Sequence, residues 1–106
     1  MTLRQKQSKL ALMVARLIIY AYSLGYEITL GDAYRDPRVR YGHRNSTHRF
    51  RLAVDLNLFK NGRYLTSTKS HQPLGEYWEA MGGSWGGRFK SNPDGNHYSL
   101  KHNGVR

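Results

Sequence analysis

Four residues of this chain have the types and spacing to hold and use a metal ion: His48, Asp55, Asp94 and His97. The first two lie in Ser46-Thr47-His48-Arg49-Phe50-Arg51-Leu52-Ala53-Val54-Asp55-Leu56, the others in Asp94-Gly95-Asn96-His97-Tyr98. Two imidazoles and one carboxylate make three candidate ligands. Three protein ligands with an open fourth position are the pattern of a catalytic zinc, whereas structural zinc is usually closed by four. A further carboxylate outside the ligand set can act as general base on water activated by the metal. The chain contains no cysteine, which excludes a disulfide framework and any thiolate site. A metal here is held by nitrogen and oxygen, a donor set that suits zinc in a hydrolytic site.

Spacing constrains how these residues meet. His48 and Asp55 are seven positions apart, about 23 Å if fully extended, so the chain must fold back between them. Asp55 sits between Val54 and Leu56 and points to the other face of a strand from both. A carboxylate in an apolar strand needs a counter-charge or a metal, and an ion pair with Arg51 or Arg35 meets that need as well as a metal does. Asp94, after Pro93, also reads as a plain turn residue, and His97 alone as a surface or core histidine. Strict alternation would send Asp94 and His97 to opposite faces, but Gly95 allows a turn that brings them together. The weight rests on the conjunction of the four.

The positioning elements follow from periodicity. Leu10, Met13, Val14, Leu17, Ile18, Ala21 and Leu24 repeat at helical spacing, with Thr2 and Gln5 able to form a capping box and Gly25 placed to stop the helix. Residues 26–30 alternate like a strand, and residues 53–59 form the next one. Asn61-Gly62 signals a type I′ hairpin returning through residues 63–65. Residues 70–81 read as a second helix with Pro73 in its first turn and Gly82 after its end. A glycine-rich loop over 82–87 and a last strand over 96–101 complete the order. A basic loop, 38–45, precedes the first candidate ligand. The expectation is a small α+β fold with a mainly antiparallel sheet and two helices, in a single domain over residues 1–106.

Formal net charge is +10, from 17 Lys and Arg against 7 Asp and Glu. That balance favours a polyanionic partner, and nucleic acid or a phosphate-rich bacterial wall satisfies it equally. The amino-terminal run is too short and too charged to span a membrane. Arg16 interrupts it and its apolar residues share one face, so it reads as a core helix and not as a signal peptide.

Ser-x-His, six residues, then Asp, followed later by Trp-Gly and Asp-x-x-His, resembles the zinc D-Ala-D-Ala carboxypeptidase and L-alanyl-D-glutamate peptidase family. Phage endolysins of the L-alanyl-D-glutamate type are the nearest branch, and the likeness spans about residues 26–100. It implies a hedgehog/DD-peptidase-like fold and zinc-dependent hydrolysis of peptidoglycan stem peptides. His48, Asp55 and His97 would bind zinc, and Asp94 would be the base. Aspartate at that last position fits the endopeptidase branch. Arg35, in Ala33-Tyr34-Arg35-Asp36, matches the family arginine that pairs a substrate carboxylate or polarises the scissile carbonyl; pairing with Asp32 or Asp36 explains it equally. Ser46 matches a position two before the first ligand, where it bonds substrate or caps the loop.

The family usually carries glycine where this chain has Arg51. Trp85, among glycines, is expected in the core or the cleft wall and is a candidate to touch substrate. Trp78 is expected in the core or the cleft wall, Glu79 as a reserve base, and His43, His71 and His102 at the surface. The expected role is host lysis by a phage enzyme, held in the host cytoplasm without a signal peptide and then released to the wall. Its partners are peptidoglycan and, by charge, anionic wall polymers, with no nucleic acid, no membrane and a monomeric state. The alternatives are a D-Ala-D-Ala carboxypeptidase of the same family and a small basic metal-dependent nuclease, which leaves the Ser-x-His…Asp spacing unexplained.

Overall fold

The computed structural model describes residues 1–31 and 50–102. Helix α1 (Leu3–Ser23) starts at Thr2, whose hydroxyl accepts the Gln5 backbone N–H while the Gln5 side chain accepts that of Thr2. It ends in a Schellman arrangement: Tyr26 N–H donates to the Ala21 carbonyl and Gly25 N–H to that of Tyr22. Leu10, Met13, Leu17 and Ala21 form its buried stripe, whereas Leu24 stays exposed.

Strand β1 (Glu27–Leu30) pairs antiparallel with the long strand β2 (Ala53–Lys60), and β2 turns back into β3 (Arg63–Leu65). The hairpin residues Asn61 and Gly62 have φ of 52° and 77°, the two positive values a type I′ turn requires. Lys69–His71 forms one turn of 3₁₀-helix leading into α2 (Gln72–Ala80), with Pro73 in the first turn. The expected helix over 70–81 is therefore a 3₁₀ entry followed by an α-helix, the proline ring suiting a position whose N–H has no helical acceptor.

Part of the glycine-rich loop is itself a strand. Ser84–Trp85 is β4, followed by a 3₁₀ turn over Gly86–Arg88, and β5 (His97–Ser99) lies between β4 and β2. The sheet order is β1-β2-β5-β4, with β3 also on β2. Two residues between glycines carry too little pattern to announce a strand; the pairing partner, β5, makes it one.

The core lies between this sheet and the two helices. Leu56, Leu58, Leu74, Trp78, Trp85 and Tyr98 pack with the α1 stripe in one apolar cluster. Trp78, as expected, is in the core, and its indole N–H donates to the Ser99 carbonyl at 3.0 Å. His71 is not a surface residue: it is 2% exposed, and its Nδ1 lies 2.8 Å from the Tyr98 hydroxyl. The proline-started helix turns it inward. His102 is half-buried, its ring tilted against that of Phe50 with centroids 4.7 Å apart, and 3.3 Å from Lys6 Nζ.

Candidate active site

Asp55 and His97 are direct cross-strand partners in the β2–β5 ladder. Their side chains share one face, with His97 Nδ1 3.6 Å from Asp55 Oδ1. The face opposite carries the buried Val54 and Leu56, so alternation along β2 sets the carboxylate apart from the core. Asp94 joins them: one ligand atom from each of Asp55, Asp94 and His97 lies within 4.8 Å of the others. Exposure is graded across the three, with His97 6% exposed, Asp55 half-buried and Asp94 open to solvent.

Backbone contacts from four segments hold the cluster. The Asp94-Gly95-Asn96-His97 turn closes with His97 N–H donating to the Asp94 carbonyl at 3.2 Å, which brings both side chains to one site. Gly95 does not supply positive φ here; its role is close approach, because a Cβ would sit 2.6 Å from Thr68 Cα. Gly86 presses on the other side. Its carbonyl accepts the Asp94 N–H at 2.9 Å, and a Cβ on Gly86 would collide with the Asp94 carbonyl oxygen. Gly31 N–H bonds the Asp55 carbonyl at 2.8 Å, and Leu56 N–H bonds that of Asn96 at 3.0 Å. The Phe89 ring packs 5.5 Å from the His97 imidazole.

Trp85, a candidate to touch substrate, is 3% exposed and in the core. Its indole N–H donates to the Gly95 carbonyl at 2.7 Å, so it fixes the turn that carries Asp94 and His97. Glu79, the reserve base, instead forms a two-pronged pair with Arg88, both bonds 3.0 Å. That match pushes the Arg88 guanidinium further toward its charged form, first through the hydrogen bonds and then through the charge of Glu79. The pair borders a separate depression of about 380 Å³ with Ser84, Trp85 and Lys101. His48, Arg35, Ser46 and His43 lie outside the described residues.

Arg51 has φ of 56°, the left-handed region that glycine enters without penalty. The chain turns through a left-handed residue just before β2, a conformation that the glycine implied there by the resemblance would adopt without strain.

A pocket of about 210 Å³ adjoins Asp94. It occupies a gap along one edge of β2, which pairs with β5 over residues 53–55 and with β3 over residues 58–60. Asn57, Thr66, Thr68 and Asn96 line it with neutral polar groups, together with His71 and Asp94.

Asp55 and His97, the two candidate ligands among the described residues, are spaced as a shared zinc ion requires. Two ligand atoms at about 2.0–2.2 Å from one zinc are at most ~4.4 Å apart. The 3.6 Å Asp55–His97 separation meets that limit, and the buried faces of Asp55 Oδ1 and His97 Nε2 exclude solvent. The set is nitrogen and oxygen only.

Comparison with known proteins fixes the family. The structure of Serratia marcescens L-Ala D-Glu endopeptidase ChiX has the same fold, with a TM-score of 0.64 at 18% identity, covering 92% of this chain and 85% of that one. A comparison with curated proteins returned no match. Residues 40–100, more than half of the chain, match a family model described as D-alanyl-D-alanine carboxypeptidase. The chain belongs to that peptidase family.

Proposed function

We propose that this protein is a zinc-dependent peptidoglycan hydrolase that cuts the L-Ala–D-Glu bond of the stem peptide, as a phage endolysin in host lysis. The observation that carries the reading is the Asp55–Asp94–His97 cluster on β2 and the β5 turn, in a chain of this peptidase family. Asp55 and His97, with His48, are the zinc ligands in this reading. A zinc held there supplies Lewis-acid polarisation of a carbonyl and acidifies a water molecule.

The chain's own residues do the rest. Asp94, the most exposed of the three, takes the proton of the attacking water and passes it to the leaving amine, serving as base and then acid. Arg35 stabilises the oxyanion or holds a substrate carboxylate, and Ser46 bonds the substrate. The buried Trp85 holds Asp94 in register through the Gly95 carbonyl. The neutral pocket beside Asp94 is the place for an uncharged part of the stem peptide. The net charge of +10 attracts anionic wall polymers. The enzyme acts as a monomer, made in the host cytoplasm and released to the wall at lysis.

A second reading has a specific observation behind it: the family model is described by D-alanyl-D-alanine carboxypeptidase activity. The two reactions release different fragments. Purified protein on peptidoglycan, with and without chelator, followed by mass spectrometry of the products, separates them. New L-Ala carboxyl and D-Glu amino termini, lost with chelator and restored by zinc, are expected. Release of terminal D-Ala alone would favour the carboxypeptidase, and no cleavage would remove both.

A further inference from the structure

Helix α1 has a second apolar face. The first is the buried stripe that builds the core. On the outside, Leu12 is 53% exposed, Ile19 is 70% and Tyr22 is 50%. With Ser8 and Ala15 they follow spacings of three and four, which is one continuous line along a helix. Lys9 and Arg16, seven residues apart and both exposed, run beside this line. Arg4 reaches along its start, with a guanidinium N–H donating to the Ser8 hydroxyl at 3.2 Å. Near the carboxyl end, Tyr20 stacks on Tyr77 of α2 at 4.0 Å. Arg16, Ile19, Tyr20, Ser23 and Tyr77 enclose a shallow groove of about 270 Å³ that extends the face onto α2.

Charge selects the occupant. The first acidic residue of the chain is Glu27, so α1 carries no carboxylate; Arg4, Lys9 and Arg16 flank the outer line, while Lys6 turns the other way to His102. A second copy pairing through this face would set these cations against their own kind. A nucleic acid or a wall polymer would match the cations but offer nothing to Leu12 and Ile19. An anionic bilayer meets both demands: headgroups for the cations and an acyl boundary for the apolar line. We propose that the outer face of α1 is a docking surface for anionic phospholipid membrane, with the helix lying in the interface. Among the described residues no helix is long and apolar enough to cross a membrane. Lying on a surface is a different requirement, and it revises the expectation of no membrane partner. The proposal rests on α1 alone and is independent of the hydrolytic reading.

Co-sedimentation of the full chain with vesicles tests it, comparing equal parts phosphatidylglycerol and phosphatidylcholine with pure phosphatidylcholine. Binding on the order of tenfold stronger to the anionic vesicles is expected, weakening with salt. The double substitution Leu12→Gln/Ile19→Gln should reduce binding about tenfold or more through lost apolar burial, with the circular dichroism spectrum and melting temperature retained. Lys9→Gln/Arg16→Gln should weaken binding and flatten its salt dependence. Undiminished binding by the Leu12/Ile19 variant would overturn the proposal in favour of bulk charge attraction. Absence of vesicle binding would overturn it outright. A dimer detected by analytical ultracentrifugation and abolished by Leu12→Gln/Ile19→Gln would assign the face to a second copy.

Discussion

Two imidazoles sit on opposite sides of strand β5, and their surroundings differ in kind. His97 faces Asp55 and Asp94, whereas His71 faces the hydroxyl of the next residue along, Tyr98. Both are nearly inaccessible, at 6% and 2% exposure. Burial holds His71 neutral, lowering its pKa to about 4, and pushes that of the Tyr98 phenol upward. The phenol therefore keeps its proton, and the two neutral groups share one hydrogen bond at 2.8 Å. That pair is a neutral bond between the core and the wall of the pocket beside Asp94, while the His97 cluster collects two carboxylates at a face that opens to solvent through Asp94. Burial of a histidine does not mark a site. The donors gathered around it, and a route to solvent, do.

The comparison can be broken at either imidazole. His97→Ala should abolish hydrolysis and zinc binding while the chain stays folded, checked by elemental analysis and thermal melting. Full zinc content in that variant would remove His97 from the ligand set. His71→Phe should do the reverse. It leaves the Tyr98 hydroxyl buried without its hydrogen-bond partner, costing about 1–3 kcal/mol of stability, with zinc content unchanged. Denaturant titration at neutral pH measures it, and loss of zinc in His71→Phe would erase the contrast between the two.

His71 also sets a pH dependence. Its folded pKa, about 4, lies below the ordinary 6.5, so the unfolded chain binds the proton more readily between those values. The neutral imidazole's contribution is fully present above about pH 6.5 and is lost as pH falls toward 4, up to about 3 kcal/mol. Stability curves of wild type and His71→Phe should converge over that window. Parallel curves would show that His71 is not the titrating group.

The smallest effect is expected at Arg51. Arg51→Gly relieves a left-handed residue of φ 56° but loosens the unfolded chain. A gain of about 0–1 kcal/mol in a chemical denaturation curve is expected; a loss beyond 1 kcal/mol would mean that the arginine side chain matters more than its backbone.

The fold's outline was legible where patterns are long. The α1 stripe from Leu10 to Ala21, its Thr2 cap and the Asn61-Gly62 turn follow from spacing and turn chemistry, while the pairing of Asp55 with His97 is set by the β2–β5 register. Short-range pattern failed where tertiary contact decides. Ser84–Trp85 is a strand only because β5 lies beside it, and His71 is buried because a 3₁₀ turn rotates it inward. Trp85 was legible as large and apolar, but which carbonyl its N–H meets is a property of the folded chain. In the glycine run, Gly86 is needed for close approach, with the backbone of Asp94 as the partner. The outer line of α1, visible as Leu12 and Ile19, was masked in the sequence by the stronger inner periodicity.

Asp94→Asn separates proton transfer by Asp94 from the metal-holding role of its neighbours. The substitution keeps the shape of the side chain and the turn that Asp94 N–H makes with Gly86. Zinc content and peptidoglycan hydrolysis should be measured on the same preparation. Zinc equal to wild type with hydrolysis lowered about 10²–10⁴-fold is the predicted result, as for loss of a general base. Loss of zinc in parallel with activity would make Asp94 a ligand, and undiminished hydrolysis would remove it from the chemistry.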